Sequence, residues 1–441
     1  MSPELTLDGP LAEKADQLAP RLARALGAEA DAETRYVAAL SDFAAGMIAQ
    51  HGAWVAEGLT TRRFHEAPGR EAIEAEAAGA LAAVSDMADL QAALRRLRNR
   101  FQLWIVWRHL TRRAPLEETT RVLSDLADVL IDGALDTLHG WLAEREGVPR
   151  DDHGEPQRLV VLGLGKLGAR ELNLSSDVDL LFAYPEPGTT DRGRTCQQFF
   201  MRLGQQLIAA LDTVTGDGFA FRVDMRLRPW GKSGALAVGF DAMESYYENQ
   251  GREWERYALI KMRPVAGDLD AGARLIERLT PFVYRRYIDY GAFESLREMK
   301  GLIEREVNRK GMQADVKLGA GGIREVEFIV QAFQLIRGGQ LPSLRDPNLM
   351  KVLPMLVEEG MLPEDVVAEL ADAYVFLRDV EHRLQAVDDR QTQRLPDDEL
   401  GWQRLTFAMD FSARAPFERA LRRHREQVRY HFSQVIADPQ Q

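Results

Sequence analysis

Apolar residues recur every three to four positions early in the chain, as in Leu90, Leu94, Leu97, Phe101 and Ile105, the period of an amphipathic helix. Alanine, leucine, glutamate and arginine dominate residues 1–150, which are predicted to be all-helical. Pro115 and Glu117 open a further helix through Leu142. The clustered Arg95, Arg96, Arg98, Arg100 and Arg108 read as a solvated helix face paired with glutamates. Residues 144–157 (EREGVPRDDHGEPQ) are polar and rich in turn formers, as in a linker.

From residue 158 the period shortens. In 158–184, RLVVLGLGKLGARELNLSSDVDLLFAY, the pattern predicts a buried strand, a glycine turn, a short helix and a second strand. A turn-rich loop follows at 186–194, then an amphipathic helix over 197–211. Residues 219–229 (FAFRVDMRLRP) and 235–240 (ALAVGF) are predicted as strands separated by a Gly-Lys-Ser-Gly turn. Asp241 is expected to cap the next helix with Glu244 as its capping-box partner, and 248–263 (ENQGREWERYALIKMR) to continue as helix. Helices return over 268–282, 293–310, 320–337, 347–360, 364–389 and 414–437. Residues 317–327 (KLGAGGIREVE) form a glycine-rich loop running into one of them. The expected organisation is a helical region (1–150), a mixed α/β core (151–264) and a second helical region (265–441).

Composition narrows the function. No apolar run approaches the roughly 20 residues of a membrane span, and the N-terminus lacks a secretory pattern. Cys196 is the only cysteine, which fits a reducing cytoplasm and, with no histidine-centred triad around it, not a nucleophile. The net charge of −12 disfavours nucleic acid as a partner, so any polyanion must meet a local basic patch.

The chemistry concentrates in the α/β core. Asp177 and Asp179 lie at i and i+2 of a strand, so both carboxylates share one face, while Val178, Leu180 and Phe182 point into a core. Two adjacent carboxylates repel unless a cation stands between them, and the hard cation Mg²⁺ suits carboxylates plus phosphate oxygens. Gly163-x-Gly165-x-x-Gly168 matches a dinucleotide fingerprint. Yet only about eight residues separate Gly168 from Asp177, too few for a typical crossover helix plus turn. The better reading is Gly165, eleven residues, then Asp177-x-Asp179. There the glycine turn and helix N-terminus meet nucleotide phosphate, beside carboxylates that hold the bridging metals. Asp224 is the third carboxylate, sharing a strand face with Arg222, Arg226 and Arg228, which suits a metal-bound polyphosphate.

This constellation resembles the polymerase-β-type nucleotidyltransferases. The blocks GLGKLGARELNLSSDVDLLFAY, FRVDMRLRPWGKSGAL, YYENQGREWERYALIKMRPVAGD and KLGAGGIREVEFIVQAFQLIRGG resemble the glutamine synthetase adenylyltransferase/adenylyl-removing enzymes, from about residue 20 to the end. That family carries two such halves. The ELNLSSDVDL form beginning at Glu171 and the helical lead-in resemble its N-terminal, adenylyl-removing half, with the chain stopping at DPQQ after that half. The resemblance implies an α+β fold, a small polymerase-β-like sheet flanked by N- and C-terminal helical regions. It implies phosphorolytic removal of AMP from a tyrosine of glutamine synthetase, with two Mg²⁺ ions, inorganic phosphate and adenine nucleotide, and the PII signal protein as a further partner. ATP-dependent adenylylation and a non-catalytic regulatory module are the alternatives. It assigns the metal to Asp177, Asp179 and Asp224, and the nucleotide turn to Gly165, Lys166, Gly168, Ser175 and Ser176. Arg226 and Arg228 are expected on phosphate. Lys261 and Arg263 contact phosphate or make intrahelical pairs, and Glu325 and Glu327 support the site or cap a helix. His382 reads as a structural histidine.

Overall fold

The computed structural model describes residues 7–285, 294, 296–302, 305 and 312–435. The first stretch is helical as predicted: Gly9–Leu26, Ala32–Leu40, Asp42–Gln50, Gly52–Thr60, Arg70–Leu81, Met87–Leu110 and Leu116–Glu146, the last opening behind Pro115. The strands are β1 (Pro149–Asp151), β2 (Val160–Leu164), β3 (Asp177–Tyr184), β4 (Gly188–Thr190), β5 (Arg222–Asp224), β6 (Ala237–Gly239) and β7 (Arg263–Gly267). Residues 144–157 are therefore not a linker. The long helix runs to Glu146, and β1 then pairs with β4 in a two-stranded ribbon.

The central sheet has the order β5-β3-β2-β7, with β6 also paired to β3. β2 lies antiparallel to β3 and β7. β5 runs parallel to the start of β3 and β6 parallel to its end, so these two short strands share one edge. The antiparallel β2–β3 pair excludes a dinucleotide fold, which needs a parallel crossover at this position.

Helices cover both faces of the sheet. Val178, Leu180 and Phe182 of β3 face a core built with the N-terminal helices. Leu181 and Ala183 face a second core, built with the helices that follow β7. Strands buried on both sides read as near-continuous apolar runs, as β2 and β3 do. The fold is α+β.

Several expectations are corrected. Regular pairing in 219–229 ends at Asp224: a turn follows, Pro229 has no N–H to donate, and Trp230 adopts a left-handed φ of 58°. Asp241 is not a cap, because the helix Phe240–Gln250 begins behind Gly239. Asp241 and Glu244 instead pair with Arg278. The helix expected through 263 stops at Gln250, resumes as Glu253–Leu259, and gives way to β7 at Arg263. In the C-terminal region Leu269–Val283, Ile323–Arg337, Leu349–Glu358, Glu364–Ala386 and Arg414–Gln434 match the prediction, while Glu399–Ala408 is an additional helix. The helix expected over 293–310 falls largely outside the described residues.

The arginine cluster is only in part a solvated face, with Arg96 exposed and Arg100 half-buried. Arg95, Arg98 and Arg108 are buried. Arg95 donates to the carbonyls of Gln91, Ala210 and Gly218 at 2.9–3.0 Å. Arg98 grips Asp389 with both terminal nitrogens, and Arg108 Nε meets Glu118 at 2.7 Å. A guanidinium tolerates burial when its rigid fork is filled this way. Cys196 is buried at the start of the helix Cys196–Asp212, and burial pushes its thiol up, away from nucleophilic character. Among the described residues no helix is long and apolar enough to cross a membrane.

Candidate active site

Three carboxylates line one cleft where β3 begins. The parallel register sets Asp177 beside Arg222 and Asp179 beside Asp224. A strand's period of two puts Asp177 and Asp179 on one face. They line a cleft of about 430 Å³ together with Gly165, Lys166, Ser176, Asp224, Arg226, Lys261 and Glu327. Its remaining walls come from residues that sequence reasoning missed: Leu227 after β5, Tyr257 and Ala258 after β6, Lys317, Leu318 and Arg324 from the glycine-rich loop and the helix behind it, and Gln331 and Gln391. The KLGAGG string announced that loop. Nothing in local spacing announced that it closes over Asp179, some 140 residues earlier in the chain.

The carboxylates differ in their surroundings. Asp177 accepts from Arg222 Nε at 2.7 Å. Asp224 accepts from Arg226 Nε at 2.8 Å and from the Arg226 backbone N–H. Asp179 stands between them and makes no ion pair among the described residues. Burial, then the charges of Asp224 and Asp177, push its carboxyl up to about 6. Burial also pushes Asp224 up, but the Arg226 hydrogen bonds and charge outweigh it and hold that carboxyl below its ordinary value.

Among the described residues no three His, Cys, Asp or Glu side chains are already gathered for a metal ion. The donor set nevertheless suits a hard divalent cation: oxygen only, with a half-buried carboxylate at Asp179 that makes no ion pair among the described residues. The Arg226 side chain is 73% exposed, so it can leave Asp224 at little cost.

Gly165 has φ +55°, and a Cβ there would lie 2.5 Å from Asp179 Oδ2. Only glycine lets the turn close over this carboxylate. The helix it opens, Gly165–Gly168, is a single turn, so a full helix dipole is not available to a phosphate. Gly168 serves packing instead: its Cβ would lie 1.6 Å from the Lys261 carbonyl oxygen.

The opposite pole is basic. Lys261 Nζ meets Glu171 at 3.0 Å and Glu327 at 2.9 Å, and Lys166 Nζ meets the same Glu327 oxygen at 3.3 Å. Burial pushes Lys261 down, but the two carboxylates outweigh it and hold the ammonium above its ordinary range. Lys166 has a weaker partner. Burial, then the charge of Arg378, lower it to about 8. Burial likewise pushes Glu327 up, and Lys166, Lys261 and Lys317 overcome it to keep the carboxylate ionised.

The remaining expected residues stand outside the cleft. The Ser175 N–H donates to Gln385 Oε1 and its hydroxyl to the Asp389 carbonyl. Arg222 is spent on Asp177 and Ser175. Arg228 turns back to the carbonyls of Met225, Lys232 and Gly234. Arg263 clamps Asp128 through two bonds of 2.8 and 2.9 Å, so neither it nor Lys261 makes the intrahelical pairs considered above. Glu325 accepts the Gly321 N–H at 3.0 Å, a local cap. His382 is a buried structural histidine beside Asn173 and Arg378.

Two family models match the chain: glutamate-ammonia ligase adenylyltransferase over residues 32–278, and GlnD PII-uridylyltransferase over 297–436. The bifunctional glutamine synthetase adenylyltransferase/adenylyl-removing enzyme of Pseudomonas aeruginosa is 54% identical over 412 residues, 92% of this chain and 42% of that protein. The enzyme of the same name from Shewanella loihica is 44% identical over 420 residues, 95% of this chain and 44% of that protein. The chain thus spans less than half the length of the curated relatives it matches. With its carboxylate-bearing sheet inside the first match, the chain belongs to the glutamate-ammonia ligase adenylyltransferase family.

Proposed function

We propose that this chain removes AMP from an adenylylated tyrosine of glutamine synthetase by phosphorolysis. The observation that carries the reading is the two-poled cleft, with Asp177, Asp179 and Asp224 on one wall and Lys166 and Lys261 on the other. Such a site suits a metal-bound phosphodiester at one end and a free phosphate at the other. The sheet is read as a nucleotidyltransferase core of the polymerase-β type within 151–264, between helical regions 1–150 and 265–441.

In the reaction an oxygen of hydrogen phosphate bonds to the α-phosphorus. The bond from phosphorus to the tyrosine oxygen breaks, and its electron pair stays on that oxygen. The hydrogen phosphate proton ends on the tyrosine, so a phosphodiester monoanion and a dianion give tyrosine and the ADP trianion. Two Mg²⁺ ions held by Asp177, Asp179 and Asp224 would neutralise phosphoryl charge and stabilise the departing tyrosinate. The Gly165 turn and Ser176 offer polar contacts to the nucleotide phosphate, and Arg226 can turn from Asp224 towards it. A tyrosinate is a comparatively stable leaving group, so the site needs no strong general acid. The match to a PII-uridylyltransferase model over 297–436 supports placing a PII contact in that region.

ATP-dependent adenylylation is the second reading, because the same carboxylate logic serves both directions. The ELNLSSDVDL context and helical lead-in favour removal. The deciding assay mixes the chain with adenylylated glutamine synthetase, Mg²⁺ and phosphate. ADP release that requires phosphate is expected, and Asp179→Asn should abolish it in a folded protein. Uptake of label from ATP by unmodified synthetase, with no ADP release, would assign the forward reaction instead. Silence in both, from a folded chain, would favour a regulatory module.

A further inference from the structure

We infer that the attacking inorganic phosphate is held by Lys317, with Lys166 and Lys261 behind it, and not by the arginines beside the carboxylates. The inference rests on the phosphorolytic reading. Two of the three arginines expected to bind phosphate are committed elsewhere: Arg222 to Asp177, and Arg228 to backbone carbonyls. The third, Arg226, sits on Asp224, at the pole where the adenylyl group belongs. The cations facing that pole are Lys166, Lys261, Lys317 and Arg324, the last already engaged by another group. Lys166 and Lys261 share Glu327, and Lys261 also holds Glu171. Three lysines against two carboxylates leave one positive charge in excess. Lys317 carries it, since it lines the cleft without an ion pair among the described residues.

A lone lysine on a mobile loop would mean little, but this loop is pinned. Asp315 Oδ1 accepts the N–H groups of Lys317 and Leu318 at 2.9 and 2.7 Å. The Val316 N–H donates to the Gln393 carbonyl, and the Lys317 carbonyl accepts from the Arg324 N–H. Gly321, with φ +69°, packs so closely on Arg425 that a Cβ would lie 2.0 Å from its carbonyl oxygen. The backbone is thus fixed before any ligand arrives, and a preorganised cation binds an anion without ordering the chain again. Lys166 and Lys261 add charge from the sheet side, so the phosphate pole is shared between the sheet and the region after it.

The test compares the whole wild-type chain with Lys317→Met and Lys317→Arg. A charge-assisted hydrogen bond contributes about 1.5–3 kcal/mol, so Lys317→Met should raise KM for phosphate at least about tenfold. KM for adenylylated synthetase should stay within about twofold, and Lys317→Arg should recover most of the phosphate affinity. An unchanged KM for phosphate in folded Lys317→Met overturns the inference while leaving the phosphorolytic reading intact. If the wild type releases no ADP, that reading fails, and calorimetric titration with inorganic phosphate alone then decides the site. Weaker binding to Lys317→Met keeps the phosphate site, and equal binding to both proteins removes it.

Discussion

Single residues in the cleft are set by what stands next to them. Gly165→Ala would place a methyl against the Asp179 carboxylate at a backbone angle that costs an L-residue about 1–2 kcal/mol. We expect phosphorolysis to fall at least about tenfold while the thermal midpoint drops only a few degrees, because the clash sits on a carboxylate of the proposed metal site. A larger loss of stability than of rate would mean the turn matters for folding alone. Lys166 gives a pH signature. Burial, with Arg378 and Lys317, pushes it down, Glu327 and Glu381 pull it up, and the balance is about 8. As pH rises through that value the ammonium is lost, so the affinity for phosphate should fall between about pH 7 and 9. Phosphate loses its own second proton in the lower part of that range, so KM is expressed for the dianion. KM for phosphate measured across the range should climb in the wild type and lose that inflection in Lys166→Met. A flat wild-type profile would take Lys166 out of the anion pole. Asp177 and Asp179 were legible in the sequence because a strand's period of two fixes which side chains share a face. Lys317 was not, since its place depends on a cleft shared with Asp179, some 140 residues earlier in the chain. Alternation says which face a side chain takes, not which neighbour takes it: Arg222 goes to Asp177 and Arg228 to backbone carbonyls.

Elements that look alike in sequence part company here over where their charges go. The string EWERYALIKMR satisfies the helical i, i+4 charge rule, yet its end is strand. Gly251 breaks the helix where a Cβ would lie 2.4 Å from Phe282, and Arg263 leaves for Asp128 on the helix Leu116–Glu146. Asp128 is buried, with Arg70 and Arg170 only at 3.5–3.6 Å. Breaking a buried pair from one side leaves an uncompensated charge and costs about 3–5 kcal/mol. Those two nearby arginines bring the expectation for Arg263→Ala to the lower end. Chemical denaturation should read that loss, and KM for phosphate in the remaining folded protein should stay unchanged. A raised KM with unaltered stability would return Arg263 to the substrate. The helical regions were legible because apolar periodicity over many residues averages out such exceptions. The short strands β5 and β6 were overextended because three paired residues carry no period of their own.

The sheet sits between two cores, and that placement decides how the whole molecule should unfold. One face packs on the helices before it and the other on the helices after β7. Val160, Leu162, Leu164 and Leu181 on the second face are fully buried. Burying such a side chain contributes about 1.5–3 kcal/mol, so these four alone amount to about 6–12 kcal/mol. That is comparable to the entire stability of a typical domain, about 5–15 kcal/mol. The regions 1–150, 151–264 and 265–441 should therefore not melt separately. Calorimetry of the whole chain is expected to give one transition, with calorimetric and van't Hoff enthalpies in agreement. A chain ended at residue 285 should bind a hydrophobic dye and lose its near-ultraviolet dichroism. Two resolved transitions, or a native-like shortened chain, would mean the helices after β7 are an accessory to the sheet. If they are part of its core, Lys166 and Lys261 take their shared counter-charge, Glu327, from the same packing that keeps the sheet folded.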